Sequence, residues 1–168
     1  MSESLIIGTM NVKIVCVGKI KEKFYRDAVA EYTKRLSRYC KLQITEVADE
    51  KTPDRCSDTE ADQIKAREGA RILSAVKDND YVIALALDGK GWDSVGLANH
   101  IEQLAVSGKS SLVFVIGGSL GLHPEVLSRA DESISFSAMT FPHQLMRVIL
   151  LEQLYRSCRI RNHEPYHK

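Results

Sequence analysis

The stretch Ser135–Arg156, SFSAMTFPHQLMRVILLEQLYR, decides how this chain folds. A short run of small and apolar residues leads to Pro142, whose missing N–H is tolerated in the first turn of a helix. From His143 onward, apolar side chains occupy most of the helix surface. A helix of this kind is covered on nearly every side. We therefore predict that it packs against its own sheet and a second surface, and that the loop before it offers backbone groups to a small polar ligand.

Strand and helix patterns alternate along the rest of the chain. Apolar and β-branched runs predict five strands, at 11–17, 42–47, 81–87, 111–116 and 132–136. Apolar residues at helical spacing predict four further helices, at 21–39, 58–76, 94–106 and 124–130. Alternation of this kind is typical of an α/β domain with a mainly parallel sheet flanked by helices. Ligands of such sheets bind beyond the carboxyl ends of strands. Three predicted turns lie at such ends, at 87–91, 116–121 and 136–141.

The composition is that of one ordinary soluble domain, with 168 residues, 44% hydrophobic and 27% charged. No apolar run approaches the roughly 20 residues of a membrane span, and the first residues lack the basic region of a signal peptide. We therefore expect a cytoplasmic protein with no membrane partner. Residues 1–9 are expected to be a non-core extension and residues 10–168 a single domain, because strand-like sequence begins at Asn11. The four cysteines are far apart and are expected to be reduced thiols.

The net charge of +1 hides an uneven distribution. Residues 13–41 contain nine Lys and Arg against three acids, whereas residues 42–66 contain seven acids against three bases. The tail after Tyr155 has four bases and one acid. A basic helix and a basic tail indicate a polyanionic partner. The alternative is a pair of ordinary solvated faces.

Residues 117–121, Gly-Gly-Ser-Leu-Gly, fit the G-x-S-x-G pattern of serine hydrolases. Asp131 and His143 even follow Ser119 in the order of a catalytic triad. However, Pro124 interrupts the helix that should follow the serine directly, and all three side chains come from one short stretch. We favour a bare backbone that a ligand can approach closely, with a tight structural turn as the alternative.

The histidines do not predict a metal site. His163 and His167 are separated by Pro165, so they do not share a helix face, and no Cys or carboxylate completes a ligand set. His143 lies at a helix start beside the proposed ligand loop. It is either a hydrogen-bonded helix-start residue or a group close to the reacting atoms.

The last seven residues, NHEPYHK, are rich in groups suited to nucleic acid. Tyr166 is suited to stacking on a base, and His167 and Lys168 are suited to phosphate. An ordinary terminal tail is frayed. The aromatic side chain and Pro165 favour a tail that packs on something.

Four segments together resemble a known family: LDGKGWDS, FVIGGSLGL, ISFSAMTFPHQLMRVILLEQLYR and the ending NHEPYHK. In this order they resemble the small SPOUT-class RNA methyltransferases, and most closely the ribosomal RNA large subunit methyltransferase H family. The resemblance covers residues 10–168. It implies a homodimer with a C-terminal trefoil knot that uses S-adenosylmethionine and no metal. The implied reaction is methylation at N3 of a pseudouridine in 23S rRNA, with the assembled ribosome as substrate.

Motif matching also implies site residues. Those that would hold the cofactor come from three loops and are Leu85, Gly117, Phe136, Ser137, Ala138, Met139, Thr140 and Phe141. Their mostly small or apolar side chains suit an adenine ring. Candidate catalytic residues are His143 near the cofactor, Arg147 one turn later, and Tyr166 and His167 from the tail, which would reach a partner subunit's site. The alternative from another class is a non-catalytic SPOUT-like dimer that binds RNA or a nucleotide.

Overall fold

The computed structural model of the protein describes residues 10–168. The predicted extension at 1–9 lies outside the described residues. Five strands form one sheet in the order β2-β1-β4-β3-β5, and every neighbouring pair is parallel. The α/β class with a parallel sheet is thus confirmed. The strands are β1 (Asn11–Val17), β2 (Lys41–Val47), β3 (Tyr81–Gly91), β4 (Ser111–Ile116) and β5 (Glu132–Ser135).

Five helices cover the two faces of the sheet. They are α1 (Lys23–Leu36), α2 (Asp58–Ser74), α3 (Ser94–Val106), α4 (Pro124–Arg129) and α5 (His143–Arg161). Helices α1, α3 and α5 cover one face, with α5 packed against both of the others. Helices α2 and α4 cover the opposite face.

The central strands are apolar on both sides because both sides are buried. Along β1, Ile14 and Cys16 belong to the core under α5, whereas Val15 and Val17 belong to the core under α2. The same burial on both faces explains why β3 and β4 read as continuous apolar runs.

Strand β3 departs from the prediction, which ended the strand at Leu87 and placed a turn after it. The strand continues to Gly91, and both Leu85 and Lys90 pair with Ile134 of β5, so the residues between them form a bulge. A Cβ on Gly89 would lie 2.6 Å from the backbone carbonyl carbon of Ile134. Glycine is therefore required where the bulge crosses its neighbour.

Helix α5 begins at His143, as predicted, and runs five residues beyond its predicted end, to Arg161. All of its residues are buried or half-buried in the single chain. The sheet, α1 and α3 cover most of it, while Leu145, Val148 and Ile149 stay half-buried.

Within residues 10–168, no helix is long and apolar enough to cross a membrane. The trefoil knot stays a prediction.

Candidate active site

A cavity of about 770 Å³ opens at the carboxyl ends of the three neighbouring strands β4, β3 and β5. Three loops form its wall: the β3 bulge, the loop after β4 and the loop after β5. The start of α5 closes it with Pro142, His143 and Met146. Its size lies within the usual range of small-molecule sites, roughly 300–1,000 Å³. The position is the one that parallel sheets use for ligands.

Seven of the eight residues predicted to hold the cofactor line this cavity: Leu85, Gly117, Phe136, Ser137, Met139, Thr140 and Phe141. Ala138, the eighth, is exposed and does not line it. The fold therefore brings together three loops that lie far apart in the sequence. The roles of these residues stay predictions.

The loop after β4 is a tight glycine turn. Gly121 has φ +87° and donates its N–H to the carbonyl of Gly118 at 3.1 Å. A Cβ on Gly117 would lie 2.8 Å from the carbonyl carbon of Gly121. The turn thus exposes bare backbone to the cavity.

The same turn is not the nucleophile elbow of a hydrolase. The Ser119 hydroxyl is exposed and lies 3.2 Å from that of Thr52. Asp131 sits just before β5, where its carboxylate accepts the N–H of Val82 at 2.7 Å. It is therefore at the far end of the strand from His143, and the three residues do not form a triad.

The loop after β5 is organised by two serines. The Ser135 hydroxyl donates to the carbonyl of Ser137 at 3.0 Å, and the Ser137 hydroxyl accepts the N–H of Met139 at 3.0 Å. Serine side chains commonly stabilise turns in this way. As a result, Met139 projects from the rim of the cavity, 71% exposed.

His143 lines the cavity and is half-buried. Burial lowers its pKa, and the positive charge of Arg147 lowers the pKa further, although Asp49 and Glu22 act in the opposite direction. The imidazole is therefore neutral at neutral pH. A neutral imidazole has a lone pair that can accept a proton.

Arg147 lies outside the cavity wall and is 2% exposed. Its guanidinium donates to the Glu46 carboxylate at 2.6 Å and to the carbonyl of Gly18 at 3.1 Å. The side chain therefore fastens the first turn of α5 to the carboxyl ends of β1 and β2. In the single chain it positions the helix that carries His143 and does not reach the cavity.

The tail folds back on the C-terminal half of α5. The Tyr166 hydroxyl donates to Glu152 at 3.3 Å, and its ring meets the ring of Tyr155 edge-on with centroids 5.0 Å apart. His167 lies 3.2 Å from the Arg156 guanidinium. Arg156 is about 20 Å along the helix from His143, at 1.5 Å per residue. Tyr166 and His167 are therefore not part of the cavity of their own chain.

One buried carboxylate near the cavity was missed by sequence reasoning. Glu68 of α2 is 4% exposed, and its carboxylate accepts the N–H of Glu50 at 3.0 Å. The same carboxylate would lie 3.0 Å from a Cβ on Gly118. Burial raises the pKa of Glu68, and the hydrogen bond from Glu50 opposes this only in part.

A signal for Glu68 was present in the sequence. It follows Ile64 by four residues and precedes Ile72 by four, so it lies on the buried stripe of the helix. A carboxylate on such a stripe needs a polar partner.

Among residues 10–168, no group of three or more His, Cys, Asp or Glu side chains is placed to hold a metal ion.

Residues 10–167 match the family model for the predicted SPOUT methyltransferases. Two proteins named ribosomal RNA large subunit methyltransferase H, from Clostridioides difficile and from Bifidobacterium animalis subsp. lactis, are each 60% identical to this chain over 159 residues. Each alignment covers 95% of this chain and all of the relative.

Two solved structures share the fold at low identity. A methylase family protein from Haemophilus influenzae superposes with a TM-score of 0.52 at 13% identity, covering 96% of this chain and 71% of that one. A methylase family protein from Neisseria gonorrhoeae gives 0.54 at 12% identity, covering 92% and 85%. At these identities, the likeness concerns the fold alone.

Proposed function

Because this chain belongs to the SPOUT methyltransferase family, we propose that it methylates ribosomal RNA of the large subunit. The observation that carries the proposal is the identity of 60%, over the whole length of the relatives, with proteins named for that activity. The three-loop cavity supports it, because its size and its place at the carboxyl edge of the sheet are those usual for small-molecule sites. We further propose the cytoplasm as the location, where ribosomes work.

The cavity suits S-adenosylmethionine as methyl donor. Adenine needs an apolar slot and backbone hydrogen bonds, and the wall offers Leu85, Phe136 and Phe141 beside the bare backbone at Gly117. We assign cofactor binding to these residues and to the rest of the loop, Ser137 to Thr140. When bound, the cofactor supplies a methyl group activated by a sulfonium. The protein then has to align the acceptor and help to remove its proton.

We propose N3 of a pseudouridine in 23S rRNA as the acceptor. This imide nitrogen becomes a good nucleophile once its proton leaves. The neutral imidazole of His143, at the cavity wall, is the group best placed to take the proton up. Arg147 is a positioning residue: it fastens the turn of α5 that carries His143 and does not touch the reacting atoms.

The role of His143 can be tested by His143→Ala. We expect turnover to fall about 10²- to 10⁴-fold, the usual contribution of general acid–base catalysis, while affinity for S-adenosylmethionine changes little. His100→Ala is the matched control, since this half-buried histidine pairs with Glu132 away from the cavity. Unchanged turnover in His143→Ala at saturating cofactor and substrate would remove it from the mechanism.

We propose that the enzyme works as a homodimer. Leu145, Val148 and Ile149 leave an apolar strip on α5 that is only half-buried in one chain. A second subunit would cover this strip and could place Tyr166 and His167 near the cavity that they do not reach in their own chain. Light scattering after size-exclusion chromatography measures the mass directly. A monomeric mass for an active enzyme would overturn this part of the proposal.

The substrate can be identified by transfer of labelled methyl from S-adenosylmethionine to assembled ribosomes, isolated large subunits and free rRNA, tested in parallel. We expect label in 23S rRNA from assembled ribosomes, and nuclease digestion would locate the modified base. Label in free rRNA alone would overturn the assembled ribosome as substrate. No label in any rRNA, from protein that still binds the cofactor, would overturn rRNA methylation itself.

A further inference from the structure

Phe24 is an exposed aromatic side chain with no part in the core. It lies in the first turn of α1, and 65% of its surface is exposed. Its ring packs against the ring of Tyr25, with centroids 4.3 Å apart. Of the large apolar side chains that are exposed in the described part of the chain, Phe24 is the only aromatic one. Single exposed apolar side chains are common on protein surfaces, so a partner for this ring has to be inferred from its surroundings.

The surroundings of Phe24 are basic. Lys19, Lys21, Lys23 and Arg26 all lie within five residues of it and are exposed, against the two acids Glu22 and Asp27. Lys23 pairs with Asp27 at 2.7 Å. The Arg26 guanidinium donates to the backbone carbonyl of Lys21 at 3.1 Å, which holds Arg26 against the segment before α1. An aromatic ring among cations is the combination that single-stranded nucleic acids use: bases stack on the ring and phosphates meet the cations.

The first turn of α1 lies near the carboxyl end of β1, and the cavity lies at the carboxyl ends of the same sheet. It follows β1 through Gly18, whose carbonyl accepts from Arg147 in the first turn of α5. His143 lies one turn before Arg147 on α5. The loop from Gly18 to α1 therefore runs beside the start of the helix that carries His143.

We propose that Phe24 is a stacking platform for an unpaired base of the RNA substrate, next to the nucleotide that enters the cavity. Lys19, Lys21 and Arg26 take the phosphates on either side of that base. The platform thus holds the strand while the target base reaches His143. This inference rests on the proposed function, because it names how the same site recognises its RNA.

The test compares Phe24→Ala, Phe24→Leu and Phe24→Tyr in methyl transfer to the ribosomal substrate that the wild-type enzyme modifies. Base–aromatic stacking lost on alanine substitution predicts a KM raised roughly 5- to 150-fold in Phe24→Ala. Phe24→Leu should show the same raised KM as Phe24→Ala, because it keeps the apolar bulk and loses the ring. Phe24→Tyr should show the wild-type KM, because it keeps the ring. Affinity for S-adenosylmethionine, kcat and melting temperature should not move. Val106→Ala, which removes an equally exposed apolar side chain from the end of α3, is the matched control.

Three results would overturn the platform. A wild-type KM in Phe24→Ala would overturn it while rRNA methylation stands. A dimer that dissociates in Phe24→Ala, seen by light scattering, would assign the ring to a second copy of the chain instead. Absence of any rRNA methylation by the wild-type enzyme would remove the proposed function and the platform together, and this result is distinguishable because it appears before any variant is made.

Discussion

Gly117→Ala is the sharpest probe of the cavity wall. The added Cβ would lie 2.8 Å from the carbonyl carbon of Gly121, 2.9 Å from its oxygen and 3.1 Å from Cδ2 of Leu122. Carbon atoms pack best at roughly 3.5–4.0 Å, so the turn has to open by at least about 0.7 Å. Two of the three neighbours are backbone atoms of the same turn, which cannot rotate away as a side chain can. The wall of the cavity must therefore move.

The size of the effect follows from that movement. A misplacement of about 1 Å in a binding or catalytic group can cost on the order of 10²-fold in activity. We expect the dissociation constant of S-adenosylmethionine, measured by isothermal titration calorimetry, to rise about 10- to 100-fold in Gly117→Ala. The free energy of unfolding should fall by only about 1–3 kcal/mol, the usual cost of overpacking.

Gly91→Ala is the matched control, since nothing lies within 4 Å of a Cβ at that position. It should bind S-adenosylmethionine as the wild-type protein does. Wild-type affinity in Gly117→Ala, from protein that is folded by circular dichroism, would show that the glycine turn is not a wall of the cofactor site. Equal losses in both variants would show that the effect is not specific to the turn.

Three further predictions concern stability and substrate binding. Arg147→Met should lower the free energy of unfolding by roughly 1–3 kcal/mol in urea titrations, less than for a fully buried pair because the Glu46 carboxylate is 36% exposed and can hydrate. The raised pKa of Glu68 means that stability falls as the pH rises from 4.5 through that pKa, so Glu68→Gln should show a smaller fall over the same range; an equal fall would refute this. Raising salt from about 50 to 200 mM should raise the KM for the ribosomal substrate steeply, and a flat response would remove the argument from basic charge.

Much of the fold was predictable because periodicity depends on local burial. All five strands were predicted. Strands β3 and β4 leave continuous apolar runs because both of their faces are buried, whereas the edge strand β2 shows an alternating pattern. The end of β3 was not predicted, because its glycines, taken alone, indicate a turn. The strand continues because Lys90 pairs with Ile134 of the neighbouring strand, which no local pattern shows. The last turn of α5 was not predicted either. Its polar residues Arg159 and Arg161 are half-buried or buried, so burial there follows from packing and not from apolar pattern.

The candidate site was only partly open to sequence reasoning. Glycine and serine patterns pointed to the loops after β4 and β5, since turns need such residues locally. That these loops meet the β3 bulge in one cavity follows from the strand order, which no local pattern contains. The place of the tail was also beyond local pattern, because it depends on the hydrogen bond of 2.9 Å from the Tyr39 hydroxyl to Glu164, 125 residues further along the chain.

The anchored tail limits how far Tyr166 and His167 can reach from the end of α5. The Arg159 guanidinium donates to the Glu164 carboxylate at 2.8 Å and to the carbonyl of Pro165 at 3.0 Å, so only three residues follow this anchor. They extend outward only when Tyr166 leaves Glu152 and His167 leaves Arg156. Three extended residues span at most about 10 Å. Any action of Tyr166 or His167 in a second subunit is therefore confined to that radius. Since α5 has 19 residues and a length of about 28 Å, a second subunit that receives this tail must bring its cavity close to the C-terminal end of the first subunit's α5.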